Sequence, residues 1–217
     1  MTETNETLPP PRTRPTVKQL LAEQEEKKAA SARSRTRTRR VLEILRHGDE
    51  PLYALLDTAR DARILPLLTS GGCEYRILYN GKTAETMAGY APYLVSLPPE
   101  APLLEQLVER GWGQSWGYYL SCGDDFSTLR NHFRRLTMVK MPDGAMVYFR
   151  FYDPRVLRAF LPTAVSGEIA HFFGAINAFY LEAEDGNALL TYTRAREATR
   201  ETGLAQQSTP LTEGQTE

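Results

Sequence analysis

The stretch PLYALLDTARDARILPLL, residues 51–68, decides the fold of this chain. Residues 52–56 form a continuous apolar run of strand length, which is typical of a buried β-strand. A charged segment, residues 57–61, follows the run, and apolar residues then recur at helical spacing up to Leu68. A buried strand that passes through a short loop into a helix indicates a layered α/β domain.

The rest of the central region continues this alternation of strands and helices. Strand patterns cover residues 73–79, 93–97, 116–121 and 189–192, helical patterns cover residues 100–110 and 126–136, and a hairpin covers residues 137–152. Because a hairpin adds antiparallel strands to the alternating part, we expect a single α/β domain with a mixed sheet flanked by helices.

Composition divides the 217 residues into three zones. Residues 1–40 form a polar and basic N-terminal arm, partly helical, in which Thr16 and Gln19 can make a capping box. Residues 41–193 carry nearly all of the aromatic and aliphatic side chains and form the domain. Residues 194–217 are rich in Thr, Glu and Gln, so we predict a disordered tail.

Charge and cysteine content limit the classes of function. The 26 Lys and Arg against 27 Asp and Glu give a net charge of −1, which argues against binding nucleic acid with the whole surface. Two cysteines are too few for a disulfide framework and fit a reducing compartment. The sequence has no apolar run of about 20 residues and no signal-peptide pattern. We therefore expect a cytoplasmic protein without a membrane partner.

A basic run gives a second hypothesis about function. Residues 27–40 contain Lys27, Lys28 and five arginines, and no acidic side chain. Such a run is typical of a solvated helix face or linker. The alternative is an arm that grips an acidic partner, as in a small nucleic-acid-associated regulatory protein.

Catalytic and metal-binding patterns are sparse. Glu168 and His171 have the spacing of half a di-metal site, but the second pair that such a site needs is missing. Cys122 and His132 could form a thiol–imidazole pair, so a hydrolase that uses them is the third hypothesis. Since no pattern orients that imidazole, we expect no enzymatic activity, no cofactor, no metal and no small-molecule substrate.

Charged residues stand beside apolar strands at two places. Asp57 follows the first strand, and Arg150 lies in an aromatic run that leads into Asp153 and Pro154. Asp153 suits the N-cap of a helix, and proline is favoured at the first helical position. Because an unpaired buried charge is costly, we expect Arg150 to pair with a core carboxylate such as Asp57.

Four blocks of the sequence resemble the adaptor/chaperone family of type VI secretion effectors, a domain long described as being of unknown function. In the family's order they are YALLDTARD (53–61) with ILPLL (64–68), APYLV (91–95), LRNHFRRL (129–136) and FRFYDPRVL (149–157). The resemblance implies a cytoplasmic adaptor that binds an effector or toxin protein and helps to dock it on a trimeric spike protein.

This role requires contact residues, and a few aromatic or arginine anchors usually supply most of the energy of a protein interface. The candidate partner-binding residues within the family-like blocks are Arg60, Tyr93, Arg135 and Arg150. Structural roles are assigned to Asp57, Asp153 and Pro154.

Overall fold

A computed structural model describes residues 16–140, 143–195 and 203–211. In chain order, the elements are α1 (Val17–Arg46), β1 (Leu52–Asp57), α2 (Ile64–Ser70), β2 (Tyr75–Ile77), α3 (Gly81–Thr86), a 3-10 turn (Ala88–Tyr90), β3 (Pro92–Ser96), α4 (Pro102–Gly111), β4 (Gly117–Cys122), α5 (Phe126–Leu136), β5 (Met138–Lys140), β6 (Met146–Tyr148), α6 (Pro154–Phe160), α7 (Ser166–Phe173), β7 (Ile176–Glu182), β8 (Ala188–Arg194) and β9 (Leu204–Pro210). Within these ranges, no helix combines the length and the apolar character that crossing a membrane requires.

Seven strands form one sheet in the order β2-β3-β1-β4-β7-β8-β9. The predicted α/β class is confirmed, but every neighbouring pair in the described sheet is antiparallel, so the expectation of a mixed sheet is wrong. The crossovers do join strands of the same direction, β1 to β2 through α2 and β3 to β4 through α4. In each case a strand of opposite direction lies between the joined strands, and no parallel pair is hydrogen-bonded.

Helices cover both faces of the sheet. Leu52, Ala54 and Leu56 of β1 belong to the core cluster that contains side chains of α1, α2 and α4. Tyr53 and Leu55 belong to the opposite cluster, with side chains of α5, α6 and α7. All of β1 is buried, which explains why its sequence is apolar on both faces.

The first helix crosses the boundary that composition places at residue 40. Its predicted capping box is present, with Thr16 as the N-cap and Gln19 as its partner. All three buried residues of α1 lie within residues 41–45, whereas residues 16–28 are exposed. The division between arm and domain therefore falls inside one continuous helix.

The C-terminal segment contributes a strand to the sheet. β9 pairs with β8 from Ala188↔Pro210 to Arg194↔Leu204, and Leu204 and Leu211 are buried. The prediction of disorder is wrong for this part of the tail, because polar side chains also suit an edge strand with one face in water. The remainder of the predicted tail, residues 196–202 and 212–217, lies outside the described residues.

The predicted hairpin is present as a separate two-stranded sheet of β5 and β6. Its register pairs Met138 with Tyr148, and the last backbone bond runs from the Phe149 N–H to the Thr137 carbonyl at 3.0 Å. Thr137 is the C-cap of α5, so the residues before it are helical and cannot pair with the residues that follow Phe149. Arg150 therefore lies in the turn before α6 and not within the predicted strand.

Candidate functional site

Asp57, the last residue of β1, is a fully buried carboxylate. Its backbone N–H donates to the Trp116 carbonyl at 2.8 Å, and its Oδ1 accepts the Ala59 N–H at 3.1 Å. Its Oδ2 accepts a hydrogen bond from Nη2 of Arg150 at 2.7 Å. The predicted pairing of Arg150 with Asp57 is confirmed.

Arg150 is only partly removed from water. Half of its side chain, 50%, is exposed, and its guanidinium carbon lies 5.8 Å from the centroid of the Tyr152 ring. The hydrogen bond with Asp57 raises the pKa of Arg150 above its ordinary value. A buried carboxylate thus fixes one end of the guanidinium group while the group still reaches solvent.

Asp153 and Pro154 begin α6 as the sequence predicts. Oδ1 of Asp153 accepts the Arg155 N–H at 3.0 Å, and Pro154 occupies the first helical turn. The Arg155 side chain also holds this carboxylate in a fork, in which Nε donates to Oδ1 at 3.0 Å and to Oδ2 at 3.2 Å and Nη2 donates to Oδ2 at 2.6 Å. Burial opposes the ionisation of Asp153, but the bonds from Arg155 outweigh it and hold the pKa below its ordinary value.

Arg155 is not among the predicted site residues, although the sequence contains a signal for it. An Asp-x-Arg pattern occurs twice, and in the second case Arg63 grips Asp61 with the same fork, at 2.9 Å from Nε and 2.6 Å from Nη2. Hydrogen bonds from Arg63 lower the pKa of Asp61 to about 2. The repeated spacing could therefore have predicted a fork at Asp153.

Arg60 is exposed at the end of the turn that follows β1, and a bond of 3.0 Å from the Arg60 N–H to the Asp57 carbonyl closes this turn. Its positive charge contributes to the lowered pKa of Asp153, which places it near the start of α6. Arg150 and Arg155 bond to two buried carboxylates, Asp57 at the end of β1 and Asp153 at the start of α6, and Arg60 lies near the second of them. We call these three arginines the arginine rim.

Tyrosine side chains connect the arginine rim to the β5–β6 hairpin. The hydroxyl of Tyr152 lies 3.1 Å from that of Tyr79, whose ring lies 6.1 Å from the ring of Tyr148. Tyr148, on β6, is 61% exposed. Aromatic and arginine side chains are enriched in protein interfaces. This arrangement can bind a protein surface through one aromatic ring and two fixed guanidinium groups.

The other two candidate contact residues lie elsewhere. Tyr93 is in the core, 6% exposed, and its hydroxyl donates to the Ala88 carbonyl at 2.9 Å. This position corrects the expectation of a contact role, because its side chain has almost no surface to offer a partner. Arg135 is exposed at the end of α5 and lines a separate groove that contains no residue of the arginine rim.

The candidate catalytic residues have structural contacts. Cys122 is buried, its Sγ lies 3.5 Å from the Ala175 carbonyl, and burial raises the pKa of the thiol. Nε2 of His132 lies 2.9 Å from the Phe172 carbonyl, and burial lowers its pKa. In the part of the chain that the structure describes, no group of three His, Cys, Asp or Glu side chains is arranged to hold a metal ion.

A sequence model of the family described as "Domain of unknown function (DUF4123)" matches residues 52–170, more than half of the chain. No curated protein and no solved structure matches the chain. The matched range begins with β1 and ends within α7, so it contains the arginine rim, the tyrosines beside it and the hairpin.

Proposed function

The chain belongs to the DUF4123 family, and we propose that it is a cytoplasmic adaptor that binds a type VI secretion effector and helps to load it onto the trimeric spike protein. The family is associated with the adaptor function in type VI secretion. The observation that carries the proposal is the arginine rim. It lies inside the matched range, and two of its three arginines, Arg150 and Arg155, are half exposed and bonded to buried carboxylates.

Anchoring makes these arginines suitable contact residues. Ordering a long side chain at an interface costs about 0.5–1.5 kcal/mol of binding free energy. Asp57 and Asp153 already fix the guanidinium groups of Arg150 and Arg155, so part of that cost is met in the free protein. A guanidinium group has five N–H donors, and those outside the fork remain available for carboxylates or carbonyls of a partner.

The tyrosine beside the rim supplies the apolar part of the contact. Tyr148 lies on a small hairpin, and its ring packs against the ring of Tyr79 in an edge-to-face arrangement. An aromatic ring that is supported in this way loses little freedom when a partner covers it. We therefore expect Tyr148 to contribute to binding together with the arginine rim. Arg60 is the member of the rim to test first, because its exposed side chain can be removed without leaving a buried carboxylate unpaired.

We also propose that the protein catalyses no reaction. A catalytic cysteine needs a thiolate, and the raised pKa of Cys122 works against its formation. The bond between His132 and the Phe172 carbonyl uses one ring nitrogen to hold α7 in place. Both residues are better explained by structural roles on the side of the sheet that α5, α6 and α7 cover.

The test is affinity purification from the native host with the full chain as bait. We compare the wild type with Arg60→Ala and Tyr148→Ala, and with Arg110→Ala as a matched control, because Arg110 is exposed on α4 on the other side of the sheet. The wild type and the control are expected to recover a spike protein or a toxin. Arg60→Ala and Tyr148→Ala are each expected to reduce that recovery at least about tenfold.

Other outcomes would contradict the proposal. Recovery of DNA alone, lost steeply as salt is added, would favour the nucleic-acid hypothesis and its basic run. A single-protein eluate with a reproducible hydrolytic rate that Cys122→Ala removes would favour the hydrolase.

A further inference from the structure

An apolar groove of about 440 Å³ lies between the β5–β6 hairpin and α7, apart from the arginine rim. Its floor consists of Leu136 and three phenylalanines, Phe149, Phe160 and Phe172. The ring of Phe160 lies 5.1 Å from that of Phe149 and 5.5 Å from that of Phe172. The floor is therefore a packed aromatic layer that continues the core.

One wall of the groove is a strand with an unpaired edge. Met138 and Val139 of β5 line the groove, and Val139 is 40% exposed. β5 pairs with β6 alone, and no third strand extends this sheet among the described residues. An open strand edge beside an apolar floor is the arrangement that accepts an added strand from a partner.

The edge of the groove carries an arginine whose guanidinium donors are not used by the described part of the chain. Arg135 is exposed there, and its guanidinium group makes no hydrogen bond or ion pair with any described residue. Glu168, also on the rim, uses its carboxylate to accept the Val165 N–H at 3.0 Å, which caps α7. His171 is the third polar residue of the lining and adds no negative charge. Glu168 keeps its negative charge but is not bonded to Arg135, so the guanidinium donors of Arg135 can take a carboxylate of an occupant as their partner.

We propose that the groove binds an extended segment of the protein partner, in which apolar residues alternate and one acidic residue meets Arg135. This inference rests on the proposed adaptor function and names the chemistry of the contact. The segment adds as a third strand along β5. Because side chains alternate along a strand, every second one enters the groove over Phe160 and Phe172 while the others face water.

Site-specific photocrosslinking in the native host tests this placement on the full chain. The photoreactive residue p-benzoylphenylalanine replaces Val139 in the groove, Arg60 at the arginine rim, or Met87, an exposed apolar residue outside the groove, as the control. We expect the Val139 position to crosslink to a partner segment with alternating apolar residues and an acidic one. The Met87 position is expected to give no such product.

The alternative outcomes separate this inference from the proposed function. Crosslinks from position 60 to a partner, with none from position 139, would overturn the groove and leave the adaptor role standing. Crosslinks from position 139 to residues 1–15 or 212–217 of the chain itself, or to a second copy, would also overturn it. If neither position crosslinks and no partner co-purifies, both proposals fail.

A charge exchange tests the role of Arg135. Arg135→Glu is expected to weaken binding of a synthetic peptide of the crosslinked segment at least about tenfold, while its thermal midpoint stays near that of the wild type. Arg134→Glu is the matched control on the same helix, because Arg134 bonds to Asn131 and does not line the groove. A peptide with lysine in place of its acidic residue should restore binding to Arg135→Glu. Absence of this rescue would overturn the proposed contact.

Discussion

Asp57 and Arg150 are 93 residues apart in the chain, and a hydrogen bond of 2.7 Å joins their side chains. The bond ties the end of β1 to the turn that follows the hairpin. The carboxylate is buried and the guanidinium group is half exposed, so the pair links the core to the arginine rim. Its loss should therefore affect both the stability of the domain and the position of the contact residues.

Arg150→Ala should lower the free energy of unfolding by about 2 kcal/mol. Breaking a buried ion pair typically costs about 3–5 kcal/mol, and the exposure of Arg150 reduces that figure. The Asp57→Ala/Arg150→Ala double variant should lose less than the sum of the two single variants. Urea unfolding measures all three, with Arg110→Ala as an exposed control. A change within about 0.5 kcal/mol for Arg150→Ala would show that the pair does not stabilise the fold.

Asp153→Ala should cost about 1 kcal/mol, the usual contribution of an N-cap. The pKa of Asp153 is lowered in the folded state, so its contribution is complete above the unfolded pKa of about 3.9 and is lost as the pH falls through the folded value. The stability difference between the wild type and the variant should therefore shrink only in acid, which urea unfolding at pH 7 and pH 3 measures. A variant that keeps its stability but loses the partner would make Asp153 a contact residue.

Local signals explain what the sequence could predict. The strand β1 and the start of α6 could be predicted because an apolar run and an Asp-Pro pair involve only neighbouring residues. The partner of Arg150 could be predicted because a buried charge without a partner is costly. The order of the strands and the place of β9 depend on pairing between distant segments, which composition does not encode. For the same reason, the sequence could not show that the side chain of Tyr93 is buried and that of Arg135 is exposed.

Removing residues 1–30 should leave the thermal midpoint within a few degrees, because the first part of α1 is exposed. From the sequence alone, we expect that residues up to 40 can be removed without loss of stability. Because α1 continues into the core, the structure limits this removal to about residue 30. Removing residues 1–45 should lower the midpoint much more, since it deletes Val41, Leu42 and Leu45 from the core. Differential scanning calorimetry compares the two truncations. Similar midpoints would show that the buried end of α1 contributes little.

Leu211→Ala should destabilise the domain by about 2–4 kcal/mol, because Leu211 is fully buried after β9. Its N–H also donates to the Asn187 carbonyl at 2.9 Å, so the residue is held at the edge of the sheet. Gln206→Ala on the exposed part of β9 is the matched control and should stay within about 0.5 kcal/mol. Equal effects of the two variants in urea unfolding would argue against docking of this segment.

Arg60→Ala should weaken binding of the partner by at least about 2 kcal/mol while the free domain keeps its stability. Arg60 is exposed and its side chain makes no hydrogen bond or ion pair among the described residues, so its removal leaves no buried group unpaired. Arg150 differs, because its removal leaves the buried carboxylate of Asp57 without its partner and therefore also lowers the stability of the domain. Isothermal titration calorimetry with the partner recovered from the host measures affinity, and urea unfolding measures stability. Unchanged affinity for Arg60→Ala, together with weaker binding for Arg135→Glu, would move the main contact from the arginine rim to the groove.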